Sequence, residues 1–181
     1  MPQNLPTLLT LMRIVLLPVL VAVFYTPVEW ARPAAAALFI IGGITDWLDG
    51  YLARKWQQES RFGAFLDPVA DKLMVMTALV LVVEAAASWV ITVPAIVIVG
   101  REITISALRE WMAEIGQRAS VAVSIWGKLK TTCQIVALVV LLYESPLFGV
   151  DLWPLGVVLL YVAAILTIWS MIQYIQAAIR S

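Results

Sequence analysis

TDWLDGYLARKWQQESRFGAFLDPVADK, residues Thr45–Lys72, carries four of the chain's five aspartates: Asp46, Asp49, Asp67 and Asp71. Asp46 and Asp49 are three residues apart, and Asp67 and Asp71 are four apart, so each pair falls on one face of a helix. Between the pairs, Ser60 and Gly63 are expected to turn the chain back. Two helix ends then face each other and bring four carboxylates together. Four negative charges in low dielectric repel strongly, which favours cations among them. Two Mg2+ ions would neutralise the set and suit a reaction on phosphate. Spacing alone leaves two other readings open: an ion pathway through a membrane, and pairing with Arg54, Arg61 or Lys72.

The chain around this stretch is oily. Of 181 residues, 62% are hydrophobic and only 13% charged, against about 25% charged in soluble domains. The mean hydropathy is +0.94. This is the composition of a membrane protein. The net charge of zero gives no sign of a nucleic-acid partner. There is no histidine, which removes the usual near-neutral acid/base and the commonest transition-metal ligand. A metal here is expected to be hard and oxygen-bound, Mg2+ or Mn2+ rather than zinc. The one cysteine, Cys133, sits in an apolar run and reads as a buried bystander thiol.

A spanning helix needs about 20 mostly apolar residues. Six segments come close, at roughly 8–25, 33–54, 69–87, 89–113, 122–143 and 153–178. Prolines and charge break the chain at 26–33, and Pro146, Gly149 and Asp151 break it again at 145–154. The first run lacks a basic region ahead of it and is expected to be a retained helix. With six spans and a cytoplasmic N-terminus, eleven of the twelve Lys and Arg residues fall on the cytoplasmic side, Arg32 being the exception. That bias puts both termini and the aspartates at the cytoplasmic face. The second and fourth helices are expected to continue past the bilayer, through Trp56 and beyond Glu102, because the apolar period does not stop at the charges. The expected fold is an all-α, integral membrane bundle of six helices forming a single domain over residues 1–181.

Gly50 directly after Asp49, with Ala53 one turn on, makes a small-residue face beside two carboxylates. Close helix packing explains such a face by itself. The full order adds more: Asp46, two residues, Asp49-Gly50, two residues, Ala53-Arg54, eight residues, Gly63, three residues, Asp67, three residues, Asp71. This matches D-x2-D-G-x2-A-R-x8-G-x3-D-x3-D, and the chain resembles the CDP-alcohol phosphatidyltransferase family at all eight fixed positions. The resemblance implies that a hydroxyl acceptor attacks the lipid-side phosphorus of a CDP-linked lipid and that CMP leaves. It implies two metal ions on Asp46, Asp49, Asp67 and Asp71, with Asp71 also the general base. It assigns the CDP-lipid to Asp49, Gly50, Ala53, Arg54 and Ser60, joined by Thr7 and Thr10 of the N-terminal stretch. Those threonines also serve as capping residues for the first helix. Arg13, a turn further, either snorkels to the interface or pairs with an acidic neighbour.

The acceptor is read elsewhere. VGREITISALREW, Val99–Trp111, and WGKLKTT, Trp126–Thr132, gather Arg101, Arg109, Lys128 and Lys130 at helix ends. Any one of these alone reads as a positive-inside anchor; together they suit a second anionic substrate. These segments are similar to family members that use sn-glycerol 3-phosphate. That similarity implies CDP-diacylglycerol as donor and phosphatidylglycerophosphate as product. Arg101, Arg109 and Lys128 are expected to hold the acceptor phosphate, with Arg118 and Lys130 as further candidates. It also implies a homodimer in the bacterial cytoplasmic (inner) membrane, with the active site facing the cytoplasm. The alternatives are another acceptor within the family, inositol phosphate or serine, or a divalent-cation transporter using the aspartates as its path.

Overall fold

A computed structural model describes residues 5–56, 61–115 and 125–180. They form six helices: α1 (Leu5–Phe24), α2 (Ala31–Trp56), α3 (Arg61–Ala86), α4 (Trp89–Glu114), α5 (Ile125–Tyr143) and α6 (Trp153–Arg180). There is no β-strand among the described residues, only a bridge pairing Leu147 with Val150. The expected count and order of helices hold.

One boundary differs. The third apolar segment is expected at roughly 69–87, and an interior proline removes a hydrogen bond and crowds the preceding turn. The helix instead begins at Arg61 and runs through Pro68. Gly63, expected in the turn, therefore lies inside α3, while Ser60 lies outside the described residues. Pro18 in α1 and Pro94 in α4 are likewise interior. Membrane helices tolerate such prolines because their neighbours re-satisfy the freed backbone groups.

The joint between α3 and α4 is tight. Ala87 adopts φ 41°, and Ser88 caps α4 with φ −133° and ψ 137°. Its side chain accepts a hydrogen bond from the Val90 amide at 3.3 Å. Between α5 and α6, Phe148 and Gly149 take φ 52° and 81° in the turn closed by Leu147 and Val150. Positive φ at both central residues is the geometry of a two-residue hairpin turn.

Among the described residues three helices are long and apolar enough to cross a membrane, over Ala31–Leu52, Trp89–Glu114 and Trp153–Gln176. Shorter apolar stretches occupy Leu8–Phe24 and Leu129–Tyr143. The first half of α3 carries Asp67, Asp71 and Lys72, which interrupts its apolar run. At 1.5 Å per residue, the 26 residues of α2 or α4 extend about 39 Å, beyond the ~30 Å hydrocarbon core, as the sequence led us to expect. Large apolar side chains such as Val15, Val80, Ile96 and Ile165 are exposed, as on lipid-facing helices.

The chain forms two compact units. The first comprises Met1–Val82 and Val139–Leu152, and the second Val83–Leu138 and Trp153–Ser181. In the first, α1 packs on α2, and Leu20, Phe24, Ala35, Phe39, Leu79 and Leu142 are buried. Gly42 lets α3 approach α2, since a Cβ there would collide with the terminal methyl of Met74. Arg32 at the start of α2 lies 3.7 Å over the Phe24 ring and pairs with Glu144 at 3.2 Å. In the second unit, α4 packs on α6, with Ile91, Ile98, Met112, Leu138 and Leu160 buried.

Candidate active site

In the first unit three helices deliver the charged side chains. Asp46 comes from α2, Asp67 and Asp71 from α3, and Thr10 and Arg13 from successive turns of α1. Arg13 is almost wholly buried, at 1% exposure, whereas the side chains of Asp46 and Asp71 are 43% and 48% exposed. The Arg13 Nη1 donates to Asp46 Oδ1 at 2.7 Å and also to Asp71 Oδ1. One nitrogen thus ties α2 to α3. A buried guanidinium left without a partner would cost about 3–5 kcal/mol, so these carboxylates make its burial tolerable. The Thr10 hydroxyl donates to Asp67 Oδ1 at 2.5 Å.

The expected aspartates divide accordingly. Asp46 and Asp71 converge on one point and Asp67 is held by Thr10. Asp49, Ala53 and Arg54 lie on α2 and Thr7 on α1, but their side chains are outside the described set. Gly50 is half-buried on α2. Among the described residues no three acidic, histidine or cysteine side chains are arranged to hold an ion. The donor chemistry nonetheless fits a hard divalent cation: two carboxylate oxygens from different helices meet at a position that already attracts positive charge.

The second unit holds a cluster of cations around one carboxylate. Glu102 Oε1 accepts from Arg101 Nη1 at 2.8 Å and from Lys130 Nζ at 3.3 Å. Arg101 Nη2 also donates to Ser170 Oγ on α6, at 3.3 Å. Further along, Arg109 Nε donates to the Tyr174 hydroxyl at 3.3 Å, with its guanidinium 5.3 Å from the ring centre. Lys130 is buried, as is Thr167. Arg101 Nε and Thr167 Oγ1 are buried with no hydrogen-bond partner among the described residues, and such groups call for a further polar contact. Lys128 lies on α5 with its side chain outside the described set, and Arg118 is outside the described residues altogether.

Of the expected phosphate-binding residues, Arg101 and Lys130 therefore come together, and Arg109 stands two turns along α4 from Arg101. Sequence reasoning missed Glu102 as their shared partner, and it missed the α6 residues Ser170 and Tyr174. The only available signal was that a glutamate within an apolar helix needs a partner.

The chain matches the CDP-alcohol phosphatidyltransferase family over residues 3–169, and it belongs to that family. It is also similar to three bacterial proteins, of Escherichia coli strain K12, Shigella flexneri serotype 5b and Shigella boydii serotype 4, each named CDP-diacylglycerol–glycerol-3-phosphate 3-phosphatidyltransferase. The identity is 57% over 180 residues in each case, covering 98% of this chain and 96% of the relative.

Proposed function

We propose that this chain is a phosphatidyltransferase that moves the phosphatidyl group from CDP-diacylglycerol to the 1-hydroxyl of sn-glycerol 3-phosphate, giving phosphatidylglycerophosphate and CMP. The observation that carries the reading is similarity along nearly the whole chain to relatives bearing that enzyme name; the position of Asp46 and Asp49 on α2 and of Asp67 and Asp71 on α3 supports it.

The acceptor oxygen attacks the lipid-side phosphorus, a new P–O bond forms, and the bond to the CMP oxygen breaks. Asp71 takes the proton from the attacking hydroxyl. Asp46, Asp49, Asp67 and Asp71 hold a pair of divalent ions, Mg2+ or Mn2+. When bound, such ions neutralise the pyrophosphate and the charge that develops on the departing CMP. Thr7, Thr10, Gly50, Ala53, Arg54 and Ser60 contact the CDP-lipid. Arg101, Arg109 and Lys130, with Lys128 and Arg118, bind the acceptor phosphate; the cations gathered around Glu102 support this part.

The whole chain acts as one membrane domain. It works as a homodimer in the bacterial inner membrane, with both termini and the aspartates at the cytoplasmic face. The one-sided distribution of Lys and Arg supports that orientation.

The test is CMP release by the purified protein in detergent, given CDP-diacylglycerol and Mg2+. Glycerol 3-phosphate, inositol phosphate and serine are offered separately. Release is expected with glycerol 3-phosphate alone. Release with another acceptor would move the assignment of the basic residues. No release with any of them, from folded protein, would overturn the reaction.

A further inference from the structure

Arg13 has no part in the chemistry above, yet among the described residues it is the most buried charge of the first unit and touches at least two of the four aspartates. It does not snorkel to the interface, one of the two readings open in the sequence. It is on α1, one turn after Thr10, which grips a third aspartate. The face of α1 carrying Thr10 and Arg13 therefore sets the positions of three carboxylates that α2 and α3 contribute. Both oxygens bound by Arg13 touch a single nitrogen, so they lie within about 5 Å of each other. Without a positive charge at that position the two carboxylates would repel.

From this geometry we infer that Arg13 is a built-in counter-cation: it holds Asp46 and Asp71 together and gives up their Oδ1 atoms to the divalent ion that takes the same place. The inference rests on the reading of the aspartates as metal ligands. Two consequences follow, of opposite sign. Removing the guanidinium charge leaves the carboxylates unneutralised, so the metal-free protein loses stability. It also removes a competitor with the same sign of charge as the ion, so metal binding tightens. Two charges this close interact strongly even when screened by an effective dielectric near 20.

The test uses Mn2+ as the probe on purified full-length protein in detergent. Free Mn2+ is counted by electron paramagnetic resonance, and thermal unfolding is followed with and without the ion. Arg13→Gln is expected to bind Mn2+ about tenfold more tightly than wild type. It is also expected to unfold at a lower temperature without metal and to regain most of that loss when Mn2+ is added. Arg13→Lys keeps the charge, and its affinity is expected to move much less; it serves if the glutamine variant does not fold. Asp67→Asn is the control for the metal reading. Wild-type binding that is lost in Asp67→Asn supports the aspartates as ligands. With binding established, equal or weaker Mn2+ affinity in Arg13→Gln overturns the counter-cation role alone. No Mn2+ binding by wild type overturns the metal reading, and the exchange with it.

Discussion

The aspartate cluster of the first unit and the basic cluster of the second solve the same electrostatic problem with the signs exchanged. In each, like charges are tied by one opposite charge that bridges them among the described residues: Arg13 bridges Asp46 and Asp71, and Glu102 bridges Arg101 and Lys130. They differ in which member is buried. Arg13 is 1% exposed while its carboxylates are nearly half exposed. In the second unit the cations themselves are covered, Arg101 at 15% and Lys130 at 8%, and Glu102 is at 23%. A charge in contact with water exchanges partners cheaply, whereas a desolvated one does not. The first cluster thus exposes its carboxylates and covers their counter-charge. The second covers its cations.

The largest expected effect falls on the exposed carboxylates. Asp71→Asn removes the proposed proton acceptor and should lower kcat by about 10²–10⁴-fold, the usual worth of a general base. Because Asp46 still neutralises the buried Arg13, the same change should lower thermal stability by less than the ~3–5 kcal/mol of an unpartnered buried charge. CMP release and a melting curve on one preparation check both. A large stability loss would mean that the Arg13 bridge holds up the fold, and the contrast between the clusters would narrow.

Glu102→Gln tests the other side. It leaves Arg101 and Lys130 crowded together without a countercharge. The expected cost is about 2 kcal/mol of stability, less than the ~3–5 kcal/mol of a fully buried pair because Glu102 is not fully covered. Glycerol 3-phosphate should restore more of the melting temperature in this variant than in wild type, since a phosphate replaces the lost negative charge. Unchanged stability would show a second cluster as exchangeable as the first. Smaller again is Tyr174→Phe, which removes one hydrogen bond to an exposed Arg109. A bond of this kind is worth about 1 kcal/mol, so KM for glycerol 3-phosphate should rise roughly fivefold with kcat unchanged.

The two clusters were unequally legible in the sequence. The aspartates announce themselves because spacings of three and four residues place them on one helix face whatever the tertiary structure does. Thr10 and Arg13 were visible as polar residues at the head of an apolar run, but their partners lie 57 and 58 residues away, or 33 for Asp46. No local pattern encodes those distances. Glu102 is harder still: its neighbour Arg101 suggests a surface pair, and Lys130 arrives from another helix. Ser170 and Tyr174 look like ordinary polar residues near the end of α6. The apolar run expected at roughly 69–87 understates α3, because Asp67, Pro68 and Asp71 interrupt the hydrophobic pattern although the helix already begins at Arg61. Burial of Gly63 and Leu66 on the preceding turns shows the helix already packed before the proline is reached.

The smallest effect expected is at Gly42, and it bears directly on how rigid the first cluster is. Gly42 lies one turn before Asp46 on α2, and Met74 lies three residues after Asp71 on α3. Their contact therefore sets the helix spacing next to the Arg13 bridge. In Gly42→Ala the new methyl collides with the far end of the Met74 side chain, Leu16 lying at ordinary contact distance, and methionine has three rotatable bonds with which to move aside. The expected cost is below about 1 kcal/mol, a melting temperature within a few degrees of wild type, and unchanged kcat. If CMP release instead falls as far as in Asp71→Asn while the protein stays folded, small changes in the α2–α3 spacing are enough to separate Asp46 from Asp71. The aspartates would then be as tightly positioned as the cations, and exposure alone would not set the two clusters apart.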